Sequence, residues 1–225
     1  MIDAISINQL DLYFDEPIRD DLYWEKRKKT YLIVIDDREP TEDLEYDLYL
    51  VDQDKFFTVY SGSDDGRTII KNTKIFEKVS APAKKATRFP QKGEGLERVI
   101  EQAKNDPIWQ RLAQQCYGCG ICSYVCPLCY CFEVEDEVSD SSEGCSGCRL
   151  RRWDSCLNKD FALTAQGNFR EDLADRIYNW HHHKFVRIPR EYGHTGCVGC
   201  ERCVVFCPAG ININETLEYL RKKYL

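Results

Sequence analysis

The chain has 225 residues, a length that suits one domain or two small ones, and its formal net charge is −7. Residues 1–65 carry 18 acidic and 7 basic side chains, whereas residues 66–115 carry 11 basic and 5 acidic ones. This balance argues against general nucleic-acid binding, which needs a broad basic face. No apolar stretch approaches the roughly 18 residues of a membrane-spanning helix, which argues against a membrane span.

Residues 1–79 are predicted to form a small acidic lobe rich in β-strands. The apolar run Tyr31–Ile35 predicts a buried strand. Two further runs, Tyr46–Val51 and Phe56–Tyr60, flank a polar turn and predict a hairpin. A last short strand is predicted at Thr68–Ile70. The lobe contains no cysteine, so we expect it to serve in packing or docking.

A connector and two helices are predicted next. Residues 80–93 contain two prolines and four basic residues without periodicity, and we interpret them as the connector. In the domain predicted at 94–225, the first helix follows from the spacing of Leu96, Val99, Ile100 and Ala103. Asp106 before Pro107 then predicts the start of a second helix. This helix should end near Gln115 and deliver Cys116 to a loop.

Two cysteine runs with identical spacing dominate the second half of the chain. Each reads C-x-x-C-x-x-C-x-x-x-C-P, at 116–127 and at 197–208. Three thiolates of such a run bind one [4Fe–4S] cluster, and the fourth binds the other cluster of the pair. We therefore predict one cluster held by Cys116, Cys119, Cys122 and Cys207, and a second held by Cys197, Cys200, Cys203 and Cys126. Structural zinc is the alternative, but zinc sites usually use two separated cysteine pairs.

An insert at 128–196 separates the two runs and contains the remaining five cysteines: Cys129, Cys131, Cys145, Cys148 and Cys156. We expect four of these five to hold a third [4Fe–4S] cluster. Two chelating pairs with one cysteine left over would also suit structural zinc. A third interpretation is that these thiols bind no metal. Iron is favoured because the chain already carries two predicted clusters. We expect Cys145 or Cys148 to be the cysteine left out.

The last part of the chain predicts two helices. Three consecutive histidines, His181–His183, cannot converge on one metal ion, because neighbouring residues on a helix point about 100° apart. We interpret them as part of a basic helix face with Arg170, Arg176, Lys184 and Arg187. Asn214 is predicted to cap a final helix whose apolar face carries Leu217, Leu220 and Tyr224.

The motifs of a self-sufficient enzyme are missing from the sequence. Gly93-x-Gly95 is followed by Arg98 instead of a third glycine, and no P-loop, nucleophile elbow or zinc-hydrolase motif is present. The first residues lack the basic and apolar regions of a signal peptide, which predicts a cytoplasmic protein. Clustered thiols in an anaerobic or strongly reducing cytoplasm indicate metal ligands rather than disulfides. These features favour a protein that moves electrons between other sites.

Several segments besides the cysteine spacing are distinctive. They are DPIW at 106–109, CGIC at 119–122, CPLCYCF at 126–132 running into acidic residues 133–137, RRWDSC at 151–156, GNFR at 167–170, and CVGC at 197–200 continuing to CPAGI at 207–211. Through these segments the chain resembles the β subunits of cytoplasmic sulfhydrogenases, which are multi-subunit nickel–iron hydrogenases. It is also similar to the related iron–sulfur subunit of anaerobic sulfite reductase.

The resemblance implies [4Fe–4S] clusters that relay electrons between a flavin or nicotinamide partner and the catalytic subunit. It places Cys129, Cys131 and Cys156 within the family pattern, whereas Cys145 and Cys148 have no counterpart in it. The family usually has a histidine where this chain has Gly167, so any role of that histidine is lost. The family's extra N-terminal region is also missing, which predicts a shortened assembly with a different catalytic partner.

We therefore predict an α+β protein with an acidic N-terminal β lobe and a C-terminal ferredoxin-like domain that holds two [4Fe–4S] clusters and a cysteine-rich insert. Its predicted function is that of a non-catalytic electron-transfer subunit in a cytoplasmic hetero-oligomeric oxidoreductase. Two other functions are kept open. One is a scaffold or docking module with structural clusters, and the other is a reductase with its own flavin.

Overall fold

The computed structural model describes residues 2–41, 44–73, 75–77, 95–141 and 144–225. The chain divides into two compact units, Met1–Pro90 and Gln91–Leu225. The predicted connector at 80–93 lies outside the described residues. Within the described ranges, no helix is both long and apolar enough to cross a bilayer.

The first unit combines helices with a small mixed sheet. Strand β1 runs parallel to β2, with Ile33 opposite Leu48, and β2 runs antiparallel to β3, with Tyr49 opposite Tyr60. The elements in chain order are α1 (Ile2–Tyr13), α2 (Asp21–Arg27), β1 (Ile33–Asp36), β2 (Leu48–Asp52), β3 (Phe57–Ser61) and α3 (Asp64–Asn72). The core of this unit consists of Ala4, Leu32, Val34, Leu44, Tyr49 and Val51.

Strands lie at the three main predicted positions, but the first is not buried as predicted, since Ile33 and Ile35 are 53% and 62% exposed. The predicted strand at Thr68–Ile70 is wrong. Those residues lie in α3, because Ser63 caps a helix there: its Oγ accepts a hydrogen bond from the Gly66 amide at 3.0 Å. The Ser63 hydroxyl in turn donates to Asp47 Oδ1 at 2.6 Å. With three helices beside three strands, the unit is a mixture of both rather than rich in strands.

The second unit is a helical core from which one long hairpin extends. Its helices are α4 (Leu96–Gln102), α5 (Ile108–Gln115), α6 (Ile121–Tyr124), α7 (Leu173–His182), α8 (Ile188–Tyr192), α9 (Arg202–Val205) and α10 (Ile213–Tyr224). Its strands form two hairpins, β4 (Phe132–Ser141) with β5 (Gly144–Trp153), and β6 (Leu163–Thr164) with β7 (Gly167–Asn168). A 3-10 turn occupies Lys159–Ala162, and a π-helical segment at His183–Arg187 joins α7 to α8.

The predicted helices that frame the cysteine runs are confirmed. Leu96, Val99, Ile100 and Ala103 are fully buried in the core of the second unit. The final helix also buries its predicted face, with Leu220 inside the core and Leu217 and Tyr224 packed against it. Its cap is Asn212 and not Asn214, because the Asn212 side chain accepts from the Asn214 amide at 2.9 Å.

Asp106 joins the start of α5 to the end of α10. Its Oδ1 atom accepts from the Ile108 amide at 2.8 Å, as an N-terminal cap does. Its Oδ2 atom accepts from Lys223 Nζ at 2.7 Å and from the Tyr224 hydroxyl at 2.8 Å. The carboxyl side chain is 0% exposed. Burial opposes its ionisation, but the bonds from Lys223, Ile108 and Tyr224 outweigh burial and lower the pKa of Asp106.

We predict that Asp106→Ala lowers the Tm of the anaerobically purified protein by at least about 2–4 °C, since loss of a helix cap alone costs about 1 kcal/mol. Lys223→Met should also lower it, whereas Lys222→Met should not. Lys222 pairs with the exposed Glu218, at 2.6 Å, and such surface pairs contribute little to stability. Because the pKa of Asp106 is lowered by folding, the difference between wild type and Asp106→Ala should be full above about pH 4 and shrink at lower pH. Equal Tm values for wild type and Asp106→Ala at neutral pH would contradict this role.

Candidate iron–sulfur centres

The first cysteine run begins where α5 ends. The Cys116 amide still donates to Leu112 O at 2.9 Å, and the chain then turns into a loop. Gly118 and Gly120 have φ values of 65° and 72°, a left-handed conformation that favours glycine. The Gly118 amide donates to Cys116 Sγ at 3.3 Å. The turn therefore directs a backbone N–H group at a ligand sulfur, which is one way in which proteins tune iron–sulfur clusters.

The second run repeats the local structure of the first. Gly199 has φ 69°, and Glu201 has φ 59° at the position that corresponds to Gly120. Helix α9 then occupies the same four positions of its run as α6 does in the first. The Ile211 amide donates to Cys207 Sγ at 3.3 Å. Equal spacing thus produces the same turn and the same short helix twice.

The insert explains why the first run has a glycine where the second has a glutamate. A Cβ atom at Gly120 would lie 2.7 Å from Ser155 Cβ, which is too close for a side chain. Ser155 belongs to the insert, and its buried hydroxyl donates to Ser123 Oγ at 3.0 Å. The insert is therefore packed directly onto the first run.

One cavity brings together the four cysteines predicted for the first cluster. Three come from the first run and the fourth from the second: Cys116, Cys119, Cys122 and Cys207. Trp180 and His181 also line this cavity. Trp180 Nε1 and His181 Nε2 are buried and have no hydrogen-bond partner among the described residues. Cys203, from the set predicted for the second cluster, lines the cavity as well. Thiols and two unused ring nitrogens around one space fit a cluster whose sulfur atoms accept hydrogen bonds.

The four cysteines predicted for the second cluster also lie near one another. Burial raises the pKa of Cys200, and the neighbouring Cys126 and Cys197 raise it further. Burial likewise raises the pKa of Cys203 to about 11, with additional contributions from Cys197 and Cys126. Thiolates influence each other in this way only over short separations. Cys126, although part of the first run, is thus placed among the cysteines of the second.

Three of the five insert cysteines surround a smaller cavity beside the second set. Cys129, Cys131 and Cys156 line it together with His183 and Lys184. The thiols of Cys131 and Cys156 are hydrogen-bonded to each other, which lowers the pKa of Cys131 to about 7. Cys129 is hydrogen-bonded to Cys126. No three His, Cys, Asp or Glu side chains of the described residues converge as closely as the ligands of a single metal ion.

The other two insert cysteines lie on the long hairpin. Cys148 is exposed and stands opposite Glu137, five residue pairs beyond the Phe132–Trp153 pair at the base. At about 3.3 Å per residue this is roughly 16 Å along the strands. The backbone of Cys145 pairs with Asp140, still further out. The structure thus brings together three of the five predicted ligands and places Cys148 apart from them.

A buried lysine, Lys184, stands between the cysteine groups. Its ammonium donates to Cys126 Sγ at 3.1 Å and to Gly196 O at 3.1 Å. No carboxylate of the described residues forms an ion pair with it. Burial opposes the charge, but the thiolates of Cys126, Cys129 and Cys197 outweigh burial and raise the pKa of Lys184. Lys184 therefore supplies a fixed positive charge next to sulfur ligands.

The predicted basic helix face around His181–His183 is wrong. Arg176, His181 and Lys184 are all buried, with 8%, 2% and 5% of their surface exposed. Arg176 Nη1 donates to the carbonyl oxygens of Arg170 and Glu171, at 3.1 and 2.7 Å, and so fixes the turn before α7. The charge pattern alone suggested a solvated surface, because the sequence does not reveal that thiols and carbonyl groups surround these side chains.

Two comparisons with known proteins agree with this geometry. The family model described as a 4Fe-4S dicluster domain matches residues 115–211. That range begins one residue before Cys116 and ends just beyond Cys207, so it includes both runs and the insert between them.

Residues 115–211 are therefore similar to 4Fe-4S dicluster domains.

The chain also has a named relative. Sulfhydrogenase 2 subunit beta of Pyrococcus furiosus is 38% identical over 154 residues, which is 68% of this chain and 44% of the relative. The resemblance indicated by the motifs is thereby confirmed, and the chain spans less than half the length of this curated relative. No solved structure matches the chain significantly.

We predict that Lys184→Met lowers the reduction potential of the cluster predicted for Cys197, Cys200, Cys203 and Cys126. A unit charge some 6 Å away at an effective dielectric constant of about 20 is worth roughly 2–3 kcal/mol, on the order of 100 mV for one electron. Potentiometric titration monitored by electron paramagnetic resonance measures this shift. Arg187→Met removes an exposed positive charge from the same segment and is the control. An unchanged or higher potential at unchanged iron content would show that Lys184 does not tune the cluster.

Proposed function

We propose that the chain is the electron-transfer subunit of a hetero-oligomeric, hydrogenase-like oxidoreductase. Its proposed partners are a catalytic subunit and a subunit that binds flavin or nicotinamide. The observation that carries this proposal is the exchange of the fourth cysteine between the two runs. The name of the relative in Pyrococcus furiosus, Sulfhydrogenase 2 subunit beta, describes a subunit of a larger enzyme. That context supports a partner that carries out the chemistry.

The first two ligand sets are those that the cysteine spacing predicts. We assign one [4Fe–4S] cluster to Cys116, Cys119, Cys122 and Cys207, and the second to Cys197, Cys200, Cys203 and Cys126. Such a cluster, when bound, supplies one-electron transfer. Burial raises the pKa of Cys122 to about 12, and Cys203 from the other set is among the neighbours that raise it. The proximity of Cys122 and Cys203 supports two adjoining sites.

We assign a third [4Fe–4S] cluster to the cavity lined by Cys129, Cys131 and Cys156. The hydrogen bond between Cys126 and Cys129 joins this cavity to the second set, as the proximity of Cys122 and Cys203 joins the second set to the first. Three sites in contact, one after another, support a relay better than isolated structural sites would. The second site lies between the other two, and the positive charge of Lys184 compensates the negative charge of its thiolates.

Exposed apolar side chains support docking to other subunits. Tyr117, between the first two ligands of the first run, is 73% exposed, and Cys119 is exposed as well. Val205 and Phe206, directly before Cys207, are 76% and 57% exposed. Large apolar groups of this kind in contact with water are typical of interaction surfaces. We assign the relay to residues 94–225 and a docking role to the lobe at 1–79, with 80–93 as the connector.

We predict that anaerobically purified protein contains about twelve irons and about twelve sulfides per chain, with no stoichiometric zinc or flavin. Dithionite should reduce the clusters and produce paramagnetic resonance signals of interacting [4Fe–4S]⁺ centres. Chemical analysis of iron, sulfide, zinc and flavin on one sample, followed by the reduction experiment, checks each part. Cys200→Ser should disturb the signals of the second site, and Cys148→Ser is the matched control that should leave them unchanged.

Other outcomes would favour other functions. Clusters that dithionite cannot reduce would support the scaffold with structural clusters. Stoichiometric flavin or substrate turnover by the isolated chain would support a reductase with its own flavin. About eight irons with one zinc would support a relay of two clusters and exclude the third cluster. Proteins that co-purify under anaerobic conditions would identify the catalytic subunit.

A further inference from the structure

The third cavity has three thiols but needs a fourth ligand. Cys129, Cys131 and Cys156 line it, and a [4Fe–4S] cluster is normally held by four protein ligands. Cys148 is exposed on the hairpin, roughly 16 Å along the strands from the base. The backbone of Cys145 lies further out along the same hairpin. The candidates for the fourth ligand are therefore the other residues that line the cavity.

His183 is the imidazole at this cavity. Its ring packs edge-on against the ring of Tyr130, with the centroids 5.9 Å apart. Tyr130 is the residue between Cys129 and Cys131, so this contact brings the imidazole beside two of the three thiols. Lys184 also lines the cavity, but its ammonium is engaged by Cys126 Sγ and Gly196 O.

The three consecutive histidines have three different surroundings. His181 Nδ1 lies 2.9 Å from Ile177 O, and the His181 side chain lines the first cavity. The His182 ring packs on Tyr178 with a centroid distance of 5.5 Å. His183 begins the π-helical segment and faces the third cavity. The triplet is therefore not a common metal site, and each ring meets a different part of the domain.

We propose that His183 is the fourth protein ligand of a third iron–sulfur cluster, beside Cys129, Cys131 and Cys156. The inference rests on the third cluster of the proposed function. Imidazole is a well-known ligand of iron, and in some iron–sulfur centres histidine replaces cysteine. Neutral imidazole in place of a thiolate removes one negative charge from the ligand set, and this raises the reduction potential. The third site therefore has a higher potential than the same site would have with four thiolate ligands.

The test is nitrogen hyperfine spectroscopy of the whole reduced protein, made with natural and with ¹⁵N-labelled histidine. Wild type should show a coupled histidine nitrogen, and His183→Ala and His183→Cys should each lose it. His183→Ala should also lose up to four irons of about twelve, whereas His183→Cys should keep them and shift one cluster to lower potential. His182→Ala, the neighbouring residue, is the control and should resemble wild type.

Each other result overturns the inference. No histidine coupling in a wild-type protein with about twelve irons excludes His183 as a ligand. Full iron content in His183→Ala together with loss of iron in Cys148→Ser assigns the fourth position to the hairpin. A wild-type protein with about eight irons removes the third site altogether. None of these results affects reduction of the two clusters held by the cysteine runs. The proposed relay is therefore tested independently of the inference about His183. Unchanged signals from those two clusters show that each variant has folded.

Discussion

The bond from Lys184 to Cys126 is the interaction on which the rest of the second unit depends. A buried ammonium is costly unless it is paired, and here its partners are a thiol and a carbonyl oxygen. Gly196, which provides that carbonyl, also donates its amide to Lys184 O at 2.8 Å. Because Gly196 directly precedes Cys197, one lysine joins the last ligand of the first run to the first ligand of the second. This close approach agrees with the position of Cys207 in the cavity of Cys116, Cys119 and Cys122.

The turns that carry the two cysteine runs could be predicted from the sequence because they depend on local geometry. The same Cys-x-x-Cys spacing, with positive φ at Gly118 and Gly120 in the first run and at Gly199 and Glu201 in the second, gives the same turn twice. The helices α4 and α5 were predictable for similar reasons, since their apolar periodicity and the cap at Asp106 are both local. The third site was only partly predictable, because its cysteines lie on separate segments that are brought together by tertiary packing.

The long hairpin shows why the remaining part escaped prediction. Its strands are rich in charged residues, and they are paired by charge: Arg149 with Asp136 at 2.7 Å, and Arg152 with Glu137 at 3.0 Å. Cys148 has a chelating spacing, but this pairing holds it in solvent. Lys184 and His183 were missed for the opposite reason. Basic residues on a helix usually indicate a solvent-exposed surface. Only the folded structure shows that cysteine side chains surround these two residues.

The π-helical segment after α7 has a mechanical consequence. His183 and Lys184 are consecutive, so a single peptide unit positions one side chain that lines the cavity of Cys129, Cys131 and Cys156 and another that bonds to Cys126. A displacement of this unit would therefore change the surroundings of both cysteine groups together. The wide helical turn couples the two groups through covalent geometry instead of through the softer packing of separate helices.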